Sequence, residues 1–223
     1  MSELVFLEPN RLDAVPFTTS EVIAEFAGVK HHAVQQLVTK HEADFKEFGV
    51  IAFEMRKPPA GSKGGRPETV YHLTEEQATL LMTYLKNTPK VRAFKKKLVR
   101  QFYAMRAELL QRKMRRTEEY KPIRRELTDV IQEIDGGKWA YKQYTDLAYK
   151  SAIGKTAAQL RKGRNAPKKA KAVDYMTADE ITAVSKRQSQ IAVLLEMGLD
   201  YQAIKRIVAD STQKSALPSA ANT

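Results

Sequence analysis

Apolar residues in the first third of the chain shift between helical and strand spacing, and the shifts mark out its elements. After a lead-in closed by Pro16, Thr19 or Ser20 offers a hydroxyl to the free N–H groups of a first helical turn. Val22, Ile23 and Phe26 follow as a short apolar face, and Gly28 interrupts it. A second helix starts near Lys30, with Val34, Leu37 and Val38 at helical spacing. Residues 50–57 read as one strand and residues 69–73 as another, and the Gly/Pro-rich stretch between them makes a long-tipped hairpin. Thr74 and Gln77 stand as a capping box and open a helix to about Lys86.

Pro89 suits the first turn of the next helix. In it Val91, Phe94, Leu98, Phe102, Met105 and Leu109 step by 3, 4, 4, 3 and 4, one apolar stripe ending near Arg116. Such a stripe serves either an internal core or a dimer seam. The seam is the expectation, because paired half-sites are how small DNA readers gain affinity. Beyond Pro122 the pattern is helical throughout. Leu127, Val130, Ile131 and Ile134 form one stretch that stops at Gly136, and Trp139 to Ile153 form the next. Residues 161–171 are a basic, proline-containing connector with six Lys/Arg and no acid. Thr177 and Glu180 cap a further helix ending at Gly198, and residues 201–209 form the last element. The tail from Ser211 is small and polar, so disorder is expected there.

The fold class expected is mainly α with a small β-hairpin. Residues 1–87 would form a winged helix-turn-helix N-terminal domain, and residues 88–117 a long basic amphipathic connecting or dimerisation helix. Residues 118–210 would form an all-helical C-terminal domain, with a tail over 211–223.

Composition narrows the function. With 223 residues and 43% hydrophobic content, the chain can bury a core. It has no cysteine, which excludes disulfides, thiolate zinc sites and cysteine nucleophiles. No apolar run nears the roughly 18–20 residues of a membrane span, and the first residues lack an export signal. A cytoplasmic protein with no membrane partner is expected. The net charge of +12 favours polyanions, and it is concentrated. Residues 1–85 carry 8 basic and 12 acidic residues, a net −4, while residues 86–117 carry 12 and 1, a net +11. Residues 118–223 carry 18 and 13, a net +5.

Ala24, Gly28 and Val34 stand where a helix-turn-helix needs a small residue at the helix crossing, a left-handed turn glycine and an inward apolar residue. The polar face of the second helix would then be the reading head: Lys30, His31, His32, Gln35, Gln36, Thr39 and Lys40. Gln35 and His32 are the favoured base contacts, since glutamine pairs with adenine and a ring N–H donates to guanine. Thr18, Thr19 and Ser20 would approach phosphates at the first helix's start. The hairpin would supply Arg56, Lys57, Lys63 and Arg66 as a wing, with Arg66 suited to a narrow minor groove. The +11 helix, or a dimer, would offset the acidic balance of residues 1–85.

The ordered set Thr18-Thr19-Ser20, Ile23-Ala24, His31-x-x-Val34 and Tyr71-x-Leu73-Thr74, followed by a long basic helix, resembles the Rha family of phage regulatory proteins. The resemblance covers roughly residues 15–112. It departs at the longer loop over 58–67 and at Gln77-Ala78, where relatives tend to have Asp-Gly. It implies a prophage-encoded regulator acting in the bacterial host cell. Residues 123–209 resemble the C-terminal helical domains of phage antirepressors.

The expected function is therefore a sequence-specific regulator that binds double-stranded DNA, as a homodimer and without cofactor, metal or catalysis. The alternative is an antirepressor-like protein that binds a repressor or host factor through its C-terminal region. A second helix-turn-helix is spaced at Leu194-x3-Gly198-x5-Ile204, although Leu194 stands where a small residue belongs. Gly154-Lys155-Thr156 lacks the upstream glycine of a phosphate loop, Tyr149 standing in its place. Trp139, with Tyr141, Tyr144 and Tyr149, is expected in the core.

Overall fold

The computed structural model describes residues 3–8, 10–57, 67–134 and 137–215. It is mainly helical, with a small three-stranded antiparallel sheet. The chain divides into two compact units, Met1–Glu8 with Ala14–Ala107 and Pro9–Asp13 with Glu108–Thr223.

The first unit opens with a strand the local pattern did not announce, β1 (Phe17–Thr19). Only three residues long, it is defined by a distant partner: Phe17 pairs with Thr74 and Thr19 with His72. The helices α1 (Ser20–Ala27) and α2 (His31–Lys40) follow. Thr19 caps α1 by accepting from the Val22 N–H, and Gly28 ends it in the left-handed region. A five-residue helix, α3 (Glu42–Lys46), leads to the hairpin of β2 (Ala52–Arg56) and β3 (Glu68–Thr74). The sheet order is β1-β3-β2, so β3 is central. On the outer side of β1, Phe17 forms a bridge with Phe6.

Thr74 ends β3 and caps α4 (Glu75–Tyr84) in the capping box with Gln77 that the sequence proposes. Gln77 is fully buried, and its amide donates to the carbonyls of Phe45, Gly49 and Val50 at 3.4, 3.3 and 3.5 Å. One side chain thus ties the α3–β2 connection to α4, giving irregular backbone the partners burial demands.

Helix α5 runs from Pro89 to Arg115, and the division between the units falls within it. Its stripe is core. Val91, Phe94, Leu98 and Phe102 are buried with Ile23, Ala24, Val34, Val38 and Leu81, and Met105 packs at the margin. Leu109, in the second unit, is buried as well. The seam expected along this face is therefore corrected. These side chains are spent inside the protomer and are not available to a partner helix.

In the second unit a π-helical turn (Arg116–Tyr120) passes into α6 (Lys121–Glu133), then α7 (Gly137–Ile153). A short helix, α8 (Ala157–Gly163), is added to the expected elements. Thr156 and Gln159 form its capping box, and it takes up the start of the basic connector. A 3-10 turn (Ala172–Tyr175) leads to α9 (Ala178–Glu196), capped by Thr177 and Glu180 as the sequence proposes. The last helix, α10 (Tyr201–Ser215), continues past Ser211, where the tail was expected to begin.

Tyr144 and Tyr149 are core residues, as expected. Trp139 is not: it is 74% exposed, with the Lys142 ammonium 5.9 Å from its ring centroid. Within α7, Ala140, Tyr144, Leu147 and Ala148 take the buried face. Among the described residues, no helix is long and apolar enough to cross a membrane.

Candidate nucleic-acid interface

The junction of α1 and α2 is set by glycine. Gly28 adopts φ +69°, its N–H donates to Glu25 O at 3.2 Å, and the Val29 N–H donates to Ala24 O at 3.0 Å. A residue with a Cβ is disfavoured in that conformation. Ala24 and Val34, the other two residues of the pattern, are 3% and 0% exposed. The three residues singled out by spacing are thus two buried side chains of one core and the left-handed turn between their helices.

The residues proposed as the reading head sort into two groups. Lys30, His32, Gln36, Thr39 and Lys40 are exposed. His31 and Gln35 are turned toward the sheet. The His31 ring sits between the Ser20 hydroxyl, 2.8 Å from Nε2, and Glu68 Oε1, 2.5 Å from Nδ1. Gln35 Nε2 donates to Thr69 O at 2.8 Å. Thr39 Oγ1 also lies 3.4 Å from the Tyr71 hydroxyl. One face of α2 is therefore stitched to β3 by polar contacts, and the adjacent face is left outward. Between α2 and the hairpin runs an open groove of about 1030 Å³, lined by His32, Gln36 and Lys40 on one wall and Met55 and Thr69 on the other.

Thr18, Thr19 and Ser20 do not reach the surface as expected. All three are buried. Thr19 caps α1, and Ser20 Oγ accepts from the Tyr71 N–H at 3.0 Å. The Thr18 hydroxyl is buried without a partner among the described residues, while those of Thr19 and Ser20 hold α1 to the sheet, so none of the three is presented to a phosphate.

On the hairpin, Arg56 is exposed but paired with both Glu21 and Glu54. Lys57 is exposed. Lys63 and Arg66, also expected in the wing, lie outside the described residues.

The sequence pattern did not single out Lys90 and Lys97, whose positions depend on how α5 packs. The Lys90 side chain covers the α1–α2 turn, so that a Cβ built on Gly28 would lie 2.7 Å from its Nζ. One turn and more along, Phe94 stacks on Phe26 at 6.4 Å between centroids, and the Lys97 ammonium lies 5.2 Å from the Phe26 ring. Arg92, Lys96 and Arg100 are exposed on the same helix. The basic helix therefore begins at the α1–α2 turn, beside Lys30 at the start of α2, and cations gather there despite the net −4 of residues 1–85.

Residues 18–107 match the family model of the phage regulatory protein Rha. This is a family of phage regulatory proteins and not of enzymes. The match ends at the residue where the first compact unit ends and includes none of the chain beyond it. No curated protein matches the chain.

Proposed function

We propose that the chain is a phage regulator that binds double-stranded DNA sequence-specifically through its first unit. In this reading α1 and α2 are a helix-turn-helix, the β2–β3 hairpin is its wing, and α2 enters the major groove. The observation that carries the proposal is the outward face of α2. Lys30, His32, Gln36, Thr39 and Lys40 are exposed together, next to the Lys90 end of a helix whose surface is basic. His32 and Gln36 contact base edges, while Lys30, Lys40, Lys90 and Lys96 neutralise phosphates. His31 and Gln35 act one step back by fixing the pitch of α2 against β3.

The test is a pull-down of fragmented phage and host DNA by the purified protein, at physiological salt and with excess competitor. Salt is fixed because phosphate attraction alone gives binding. Enrichment of one or a few fragments supports the reading, and inverted half-sites within them support action as a homodimer. Uniform recovery refutes it.

A second reading is an interaction protein that binds a repressor or host factor. It is favoured by a run of exposed apolar side chains in the first unit: Phe48, Val50, Phe53 and Met55, with Val50 at 90% exposure. A stable complex with a purified phage repressor, without DNA selectivity, would decide for it.

A further inference from the structure

The turn between α9 and α10 repeats the turn between α1 and α2. Gly198 is left-handed at φ +78°, as Gly28 is at +69°. The Gly198 N–H donates to Leu195 O at 2.8 Å and the Leu199 N–H to Leu194 O at 3.2 Å. Gly28 and Val29 make the same two bonds, three and five residues back. In both cases the second helix starts three residues after the glycine, at His31 and at Tyr201. In both, the residues six and ten beyond the glycine are buried: Val34 and Val38 in one, Ile204 and Val208 in the other.

Matching turns and matching buried positions put the two second helices in the same rotational phase. Gln202 therefore stands where His32 stands, Lys205 where Gln35 stands, and Arg206 where Gln36 stands. Gln202, Lys205 and Arg206 are exposed. The copies differ at the crossing, where Leu194 replaces Ala24 and is half-buried against the core of its own unit. They differ also at the start of the second helix, where the Asp200 carboxylate accepts from the Ala203 N–H at 2.8 Å. That carboxylate is occupied as a cap, so the nearest acid to the helix start has a structural partner.

We infer that α10 is a second DNA-reading helix, which docks in a major groove through Gln202, Lys205 and Arg206. Two adjacent cations beside an amide are the side chains that pair with phosphate, guanine and adenine. The apolar residues Val193 and Ile207, on the flank between α9 and α10, are 48% and 44% exposed. They mark where a protein partner would sit instead, and the test below separates the two.

The inference predicts that a single chain selects two sequence elements. The experiment is selection from a random 60-base-pair duplex library by the full-length protein, by a Gln36→Ala/Lys40→Ala variant and by a Lys205→Ala/Arg206→Ala variant. All four side chains are exposed, and thermal melting confirms that each variant folds. The wild type is expected to enrich two motifs. The α10 variant should lose one of them with about tenfold or more lower affinity for it, and the α2 variant should lose the other. One motif that depends on α2 and survives the α10 variant overturns the inference while leaving the proposed function standing. One motif that depends on α10 alone supports the inference and removes the α2 reading. No motif from any of the three proteins overturns both, and moves Val193 and Ile207 to the front as a protein-docking surface.

Discussion

Lys90 closes over Gly28, and the two residues hold together the start of the basic helix and the turn that aims α2. Gly28 is constrained twice, by its left-handed backbone and by the lysine stem against it. Gly28→Ala should lower stability by roughly 1–2 kcal/mol from the backbone alone. Most of that loss should persist in a Lys90→Ala background, because a flexible stem can move aside whereas φ cannot. Urea unfolding of the two single variants and the double variant measures this. A neutral Gly28→Ala would mean the turn relaxes freely.

Adjacent glutamines on α2 should behave differently. Gln35 spends its amide on the Thr69 carbonyl, and Gln36 is exposed. Gln35→Ala should therefore cost about 1 kcal/mol of stability. Gln36→Ala and His32→Ala should leave the melting temperature unchanged and lower specific DNA affinity by about 1–3 kcal/mol each. Melting curves beside binding isotherms on an enriched fragment separate the two effects, and equal behaviour of Gln35 and Gln36 would sink the assignment of faces.

Removing charge from α5 should act on affinity without acting on sequence preference. Lys90→Ala and Lys96→Ala should weaken binding to all duplexes alike, each lowering the slope of log affinity against log salt by about one. The check is a salt titration on specific and unrelated DNA. A slope that does not move would place the basic helix away from the duplex.

In the second unit, burial pushes the Tyr149 phenol far above its ordinary value, and the Tyr120 hydroxyl, 3.0 Å away, adds to the effect. Below pH about 10 the phenol is neutral in both folded and unfolded chains, so its contribution is fully present. Above that pH the unfolded chain releases the proton and the folded chain keeps it. Stability should then fall as pH rises, by about 1.4 kcal/mol per unit from this group. Tyr149→Phe should flatten the alkaline limb by one proton's worth in unfolding measured from pH 9 to 11, and an unchanged slope would mean that the phenol ionises in place.

Much of the fold was legible because its cues are local. Thr74 with Gln77 and Thr177 with Glu180 announce helix starts within four residues, and both capping boxes are present. Glycine at 28 and helical spacing at Val34 and Val38 were enough to place the α1–α2 turn. What was not legible depends on partners far along the chain. β1 exists because residues 17–19 meet residues 72–74. Ser20 and His31 look like free surface groups until β3 arrives with Tyr71 and Glu68. The stripe on α5 shows that a face is buried, but periodicity cannot say whether it is buried by the same chain. Trp139 misled for a related reason: residue type suggested the interior, while the helical phase of α7 gave that face to Ala140 and Tyr144.

The order β1-β3-β2 leaves the sheet with two rims, and they differ in character. The β1 rim meets Phe6 through the Phe6–Phe17 bridge. On the β2 rim, Phe53 and Met55 are 60% and 53% exposed along a strand whose only partner among the described residues is β3. An open strand edge with apolar side chains is a template for further strands, and proteins restrain such edges with charge. Here that restraint falls to Glu54 and Arg56, which pair with each other within the strand. Glu54 and Arg56 thus act as gatekeeper charges on that rim, and neutralising either one is expected to raise the tendency of the folded chain to self-associate.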